Sequence, residues 1–253
     1  MTPLERSALL AHSMSSRFIA KEREALEFMA DMAAKYTFTV SYSGGKDSSV
    51  CWHLANRVAP GTVGAHLDSG GEHPLSARFV VQFSEWLEAP LVIEHARLGY
   101  LDLLWLAYHG SIWISSETLM RFIIDEPAEA VAEAYGANAY VIGLRKDESK
   151  GRKLSGNVHG REHLQAATGL TRIAPLLNWT TTDVWAYIAK HSLPIHPAYF
   201  ETLEGESFLD ARVSVVVDLA AYHTTGTLSR LRKYHPSFYN ELKAKVPKAP
   251  WPF

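Results

Sequence analysis

Apolar residues fall into two rhythms that take turns along the chain. Short runs at 37–42 (TFTVSY), 63–67 (VGAHL), 91–95 (LVIEH) and 139–144 (AYVIGL) have the length and composition of buried strands. Between them, 48–58, 75–88, 100–108 and 116–135 read as helices. Residues 4–35 are rich in Ala, Leu, Glu, Lys and Met and free of Pro and Gly, which predicts one or two amphipathic helices. Residues 145–172 read as looser, with Gly151, Gly156, Gly160 and Gly169 among seven basic residues. LTRIAPLLNW (170–179) reads as extended structure. TTTDVWAYIAKHS (180–192) reads as a helix capped by hydroxyls at Thr180–Thr182, with Asp183 in its first turn. Residues 227–245 are expected to be helical with a break near Pro236. The β-branched run VSVVV (213–217) sits in a stretch without a clear pattern, and the tail PKAPWPF reads as irregular.

Strands alternating with helices predict an α/β fold. The expectation is a mostly parallel five-stranded sheet, helices on both faces, and a helical C-terminal extension. Such sheets bind ligands at the carboxyl ends of their strands. SYSGGKDSS, DSGGEHP and GLRKDESKGRK all begin at such ends.

Composition narrows the class. The 253 residues are 47% hydrophobic and 21% charged, enough for one large domain or a domain with an appendage. A net charge of −2 carries no polyanion-binding signature, so nucleic-acid contact would need a local basic patch, which 145–172 supplies. Cys51 is the one cysteine of the sequence, which excludes an intramolecular disulfide and a four-cysteine metal site within the chain. The opening MTPLERSALLAHS lacks the pattern of a secretory signal, and no apolar run reaches about 18 residues. The expectation is a cytoplasmic protein without a membrane span.

SYSGGKDSS carries the chemistry. Gly44 and Gly45 let the backbone approach an anion, and the free amides and dipole of the next helix favour its charge. Ser43, Ser48 and Ser49 offer hydroxyls and Lys46 a point charge; Asp47 makes sense beside a cation or as a brace for the loop. The spacing does not match GxxxxGK[ST], which weakens a kinase-type or GTPase-type reading. Arg145 and Arg152 suit oxyanions, and Asp147 and Glu148 can hold magnesium or position those arginines. His66, Glu72 and His73 match no standard zinc spacing, and Cys51 on an apolar helix face reads as packing.

These stretches resemble a known group. SGGKDS (43–48) resembles the PP-loop of N-type ATP pyrophosphatases. LDSGGEHP (67–74), GLRKDESKGR (143–152) and IAPLLNWTTTDVWAYIAKHSLPIHPAYF (173–200) are similar, in order, to motifs of the PAPS reductase, ATP sulfurylase small subunit and FAD synthetase group. The resemblance implies an adenine nucleotide alpha hydrolase-like domain over 37–200, between an N-terminal helical segment (1–36) and an extension (201–253). It implies cleavage of ATP between the α and β phosphates, with ATP and Mg²⁺ as cofactors and neither an iron–sulfur cluster nor zinc.

By that resemblance, nucleotide binding falls to Ser41, Ser43, Gly44, Gly45, Lys46, Asp47, Ser48, Leu67, Asp68, Gly143 and Arg145. Catalysis falls to Lys46, Asp47, Arg145, Asp147 and Arg152, and magnesium to Asp47 and Asp147. Reductases of the group use a cysteine near the C-terminus, which this sequence lacks. What then remains is adenylyl transfer in sulfur-related metabolism or DNA phosphorothioation, with sulfate or FMN adenylylation, or a non-catalytic ATP-binding regulator, as alternatives. Implied partners are a cysteine desulfurase or a GTPase subunit, nucleic acid through residues 145–172, and a second copy in a homodimer.

Overall fold

A computed structural model describes residues 1–110, 114–209, 211, 213 and 226–247. The VSVVV run beyond Val213 and the tail beyond Pro247 lie outside the described residues.

The chain opens with two helices, α1 (Pro3–Ser13) and α2 (Ser16–Lys35). Thr2 starts α1 through a reciprocal cap with Glu5, and the Ser15 hydroxyl accepts from the Phe18 amide to start α2. Strands and helices then alternate: β1 (Phe38–Ser41), α3 (Lys46–Val58), β2 (Gly64–Asp68), α4 (Ser76–Leu87) and β3 (Leu91–His95). Next come α5 (Tyr100–His109), α6 (Ser116–Met120), a π-turn at Arg121–Asp125, α7 (Glu126–Tyr135) and β4 (Ala139–Val141). A 3-10 turn at Lys146–Glu148 leads to α8 (Lys150–His159), β5 (Glu162–Leu164), β6 (Thr171–Ile173) and α9 (Thr181–His191). After a 3-10 turn at Pro197–Phe200, α10 (Thr227–Tyr234) and α11 (Pro236–Lys245) follow.

Among the described residues the strands form one sheet in the order β3-β2-β1-β4-β6-β5. Every pairing is parallel except β5 with β6. The sheet thus holds six strands, one more than the five expected. The extra strand is β5, a three-residue edge strand inside the stretch read as loose. That stretch also holds α8, so it is more ordered than its glycines suggest. Because parallel crossovers are right-handed, the links from β1 to β2 to β3 through α3 and α4 share one face. The link from β3 back to β4 ends in α7 and runs the other way, so α7 covers the opposite face, against β1, β2 and β3. Thr39 and Val40 of β1 are buried, as a central strand covered on both sides requires.

The main core joins Val40, Trp52, Phe83, Trp179, Trp185 and their neighbours. A second cluster packs Tyr100, Leu103 and Leu104 of α5 against Leu228 and Leu231 of α10 and Tyr239 and Leu242 of α11. The C-terminal helices are therefore held by α5. No described helix is long and apolar enough to cross a membrane.

Asp183 ties the N-terminal helices to the rest. Its Oδ2 accepts from the Thr180 amide at 2.8 Å and from Lys21 Nζ at 2.5 Å, while His12 Nε2 lies 2.8 Å from Oδ1. Burial alone would raise this carboxyl, but bonds from Lys21, the Thr180 amide and His12 hold it down to about 2. A depressed carboxylate stabilises the fold above its unfolded value near about 3.9, and that contribution fades as pH falls through about 2. Asp183→Ala should cost about 3 kcal/mol in urea unfolding at pH 7, combining a lost cap with a broken ion pair. Asp183→Asn, which keeps a cap acceptor, should cost less.

Candidate functional site

The strand order reverses between β1 and β4, the place where open α/β sheets hold their ligands. The segment after β1 turns through Gly44, whose φ of +77° suits glycine, and enters α3 at Lys46. Gly45 is the N-cap and has no side chain to give, so no local cap covers the first-turn amides of α3. One amide is committed: Lys46 N–H donates to the Tyr199 hydroxyl at 2.8 Å. The Ser43 and Ser48 hydroxyls lie 3.1 Å apart, and Gly45 N–H donates to Ser43 Oγ at 3.3 Å, which closes the turn.

The segment after β4 comes up against this helix start. A Cβ on Gly143 would lie 2.7 Å from Asp47 Cβ and 2.8 Å from the Asp47 carbonyl carbon. Neither atom is free to swing away, so only glycine permits the approach. Gly143→Ala is expected to cost about 1–3 kcal/mol in denaturant unfolding, because it pushes the start of α3 away from the segment after β4.

That approach brings Arg145 over Asp47. Arg145 is 2% exposed, which decides that its charge must be met by protein groups. Its Nε donates to Asp47 Oδ1 at 2.6 Å, and its two terminal nitrogens reach Asp147 Oδ2 at 3.4 Å and Glu148 Oε1 at 3.9 Å. Asp47 Oδ2 takes Lys46 Nζ at 3.2 Å. Glu148 in turn pairs with Arg152. Burial pushes the Glu148 carboxyl up, against the pull of Arg152. Asp147 Oδ2 also accepts from the Thr181 amide at 3.0 Å, which links the arginine to the start of α9. The five residues expected to do catalysis, Lys46, Asp47, Arg145, Asp147 and Arg152, thus form one chain of ion pairs, completed by Glu148.

The other expected binding residues spread along the same edge. Ser41 ends β1, beside Ala65 of β2. Leu67 and Asp68 end β2, where Asp68 Oδ1 accepts from the Gly70 amide at 2.9 Å and Oδ2 lies 3.0 Å from His95 Nδ1. Asp68 therefore turns to β3 and its own loop. Cys51 is fully buried on α3, and burial pushes its thiol well up, in keeping with a packing role. Trp179 and Trp185 lie in the main core.

Sequence reasoning missed Tyr199 as a site residue. Burial pushes its phenol far up, so it stays neutral and can accept from the Lys46 amide. The signal was available: a tyrosine inside an apolar turn needs a partner for its hydroxyl. His196 was missed as well, and its ring packs beside Gly44.

A parallel sheet that presents a glycine-capped helix start, a buried lysine and a buried arginine at its switch point defines a nucleotide-binding α/β protein. The chain belongs to the phosphoadenosine phosphosulfate reductase domain family, whose model matches residues 22–232. Curated relatives include the phosphoadenosine 5'-phosphosulfate reductases of Alkalilimnicola ehrlichii, 28% identical over 163 residues, and of Xylella fastidiosa, 29% identical over 168 residues. The first match covers 63% of each chain, and the second 63% of this chain and 66% of the relative.

Solved structures of like fold include the PAPS reductase of Candida auris in a phosphate complex, with a TM-score of 0.54 and 19% identity over 73% of this chain and 91% of that one. The FMN adenylyltransferase of Candida glabrata with FMN and an ATP analogue gives 0.52 and 18% over 77% and 66%. The U34-tRNA thiolase of Methanococcus maripaludis with its [4Fe-4S] cluster gives 0.54 and 16% over 91% and 78%. The motif resemblance to the PP-loop group is borne out at the level of family and fold.

Proposed function

We propose that this chain binds ATP on the β1–α3 loop and cleaves it between the α and β phosphorus atoms, releasing pyrophosphate. The observation that carries the reading is the buried Lys46 ammonium at the glycine-capped start of α3, backed by Arg145 through Asp47. An acceptor oxygen attacks the α phosphorus, the bond to the α–β bridging oxygen breaks, and pyrophosphate leaves with that electron pair. Such a displacement needs in-line positioning and charge neutralisation more than covalent catalysis.

Each residue has a place in this reading. The loop amides, the Ser43 and Ser48 hydroxyls and Lys46 hold the departing pyrophosphate. Arg145 holds Asp47, and through it Lys46, in place from the other wall. Arg152, nearly half exposed on α8, meets the outer phosphates or an anionic acceptor at the mouth. Leu67 and Gly143 offer backbone groups to the adenine, with Ser41 and Asp68 along the same edge.

Magnesium fits Asp147 better than Asp47. Both Asp47 oxygens are taken, one by Arg145 and one by Lys46. Arg145 and Thr181 meet the same oxygen of Asp147, Oδ2, which leaves Oδ1 available on a half-exposed carboxylate. A bound magnesium ion would supply bridging charge to phosphate oxygens. Asp47 is then the brace that holds two cations in place.

Thiol chemistry is not something this stretch of chain supplies, because Cys51 is sealed in the core. Adenylyl transfer to an acceptor in sulfur-related metabolism or DNA phosphorothioation follows, with the basic stretch 145–172 facing nucleic acid and a second copy or a sulfur-transfer protein as partner. The test is product analysis with ATP labelled at the α or γ position. AMP, or an adenylylated acceptor, together with pyrophosphate supports the reading. ADP with phosphate would overturn it, and tight ATP binding without turnover would point to a regulator.

A further inference from the structure

Away from the ion-pair chain, three side chains from distant parts of the sequence converge on one point. His73 lies in the loop after β2, Glu201 follows the Pro197–Phe200 turn, and His235 is the joint between α10 and α11. Glu201 Oε2 lies 3.0 Å from His73 Nε2, and Oε1 lies 2.8 Å from His235 Nε2. The two imidazole rings are 4.9 Å apart and nearly perpendicular. One donor atom from each residue falls within 4.8 Å of the other two. Their side chains are 9%, 14% and 20% exposed, so water competes weakly for these donors.

We propose that His73, Glu201 and His235 form a binding site for one divalent first-row metal ion of the zinc class. Two imidazoles and a carboxylate are a donor set suited to such an ion, and three protein ligands leave a fourth position open. Tetrahedral ligands about 2.1 Å from zinc stand about 3.4 Å apart. Glu201 needs to draw back from each ring by a few tenths of an ångström, and the two rings to close on each other. A small cavity walled by His73, Glu201, Thr227 and Arg230 lies beside the cluster.

Local spacing could not disclose this site. The nearby Glu72 is used by Ser69, whose amide and hydroxyl both donate to its Oε1, and His66 Nδ1 lies 2.9 Å from the Tyr42 carbonyl oxygen. The expectation of no zinc weighed His73 with those neighbours, whereas its present partners are Glu201, just past the Pro197–Phe200 turn, and His235, between α10 and α11. The site also touches the anion loop indirectly. The His73 ring meets His196 edge-on at 5.5 Å, and His196 packs beside Gly44. A metal on Nε2 puts the His73 ring proton on Nδ1, so the Leu75 amide, now 3.3 Å from Nδ1, loses its acceptor. The ion thereby fastens α10 and α11 to the loop beside the nucleotide crevice and changes that loop's hydrogen bonds.

The test uses the full chain stripped with chelator and dialysed against zinc chloride, with bound zinc quantified, and a parallel titration with cobalt(II) read by visible absorption. One zinc per chain and tetrahedral cobalt bands are expected, with affinity lowered about tenfold or more in Glu201→Gln and binding lost in His235→Ala. Zinc binding unchanged by both substitutions overturns the proposal, as does a wild-type chain that takes up neither ion. The cobalt spectrum needs no variant, so it decides even if His235→Ala fails to fold. No nucleotide enters these readouts, so they stand or fall separately from the pyrophosphatase reading.

Discussion

Lys46→Ala is expected to cut pyrophosphate release from ATP by about 10²–10³-fold while leaving the fold in place. The ammonium is 6% exposed and sits at the positive end of α3, where no water is available to replace it. A fixed donor of this kind aimed at developing negative charge contributes about 2.7–4 kcal/mol to the transition state. The stability cost is held down because Asp47 keeps Arg145 at 2.6 Å after the lysine is gone. Lys46→Arg should not restore activity, since the longer planar group does not fit a site closed by Tyr199 and Asp47. A pyrophosphate assay paired with thermal unfolding checks both halves. Release within about tenfold of wild type in the alanine variant would remove the lysine from the leaving-group site.

Arg145→Met should be the more damaging change to the molecule as a whole. Arg145 faces three carboxylates, those of Asp47, Asp147 and Glu148. An apolar replacement of similar length leaves them with less compensation in a sheltered site, at about 3–5 kcal/mol. For a chain of this size that lowers the melting temperature by roughly 10 °C. Activity should vanish even at temperatures where the variant is folded. The deficit should also depend on pH. Burial already raises the Glu148 carboxyl, and losing Arg145 raises it further. An acid with a raised folded pKa binds more protons folded than unfolded, so its stability contribution falls as pH rises through that window. The gap between variant and wild type should therefore be smaller at pH 5 than at pH 8 in urea unfolding. An equal gap at both values would mean that Glu148 is not coupled to the arginine. Arg145→Lys should fall between the two, because one ammonium cannot serve diverging carboxylates as a guanidinium does.

The parallel sheet and the glycine turn after β1 were legible because both are written locally. A buried strand announces itself by an unbroken apolar run, and a phosphate cradle by glycines and hydroxyls at a strand exit. Helix α8 was not legible, because glycines interrupt it. Gly156 is there for a close contact: a Cβ would lie 2.9 Å from Leu177 Cδ1 and 3.0 Å from Lys146 Cγ. Strand β5 was not legible either. It is an edge strand of three residues, and its Glu162 is occupied with Tyr36 and Lys35 instead of presenting an apolar face.

The sequence by itself determined the fold class, the glycine turn at the end of β1, and the charged residues that gather beside it. Backbone freedom at Gly44, the charge of Lys46 and the strand before them are properties of neighbours in the chain, and neighbours can be read in order. Only the tertiary structure decided how those groups are used. It set Tyr199 on the Lys46 amide, spent both oxygens of Asp47 on cations and left one of Asp147 open, and gathered His73, Glu201 and His235 at one point. Such partnerships join residues far apart in sequence, and side-chain chemistry alone does not say which buried charge will face which.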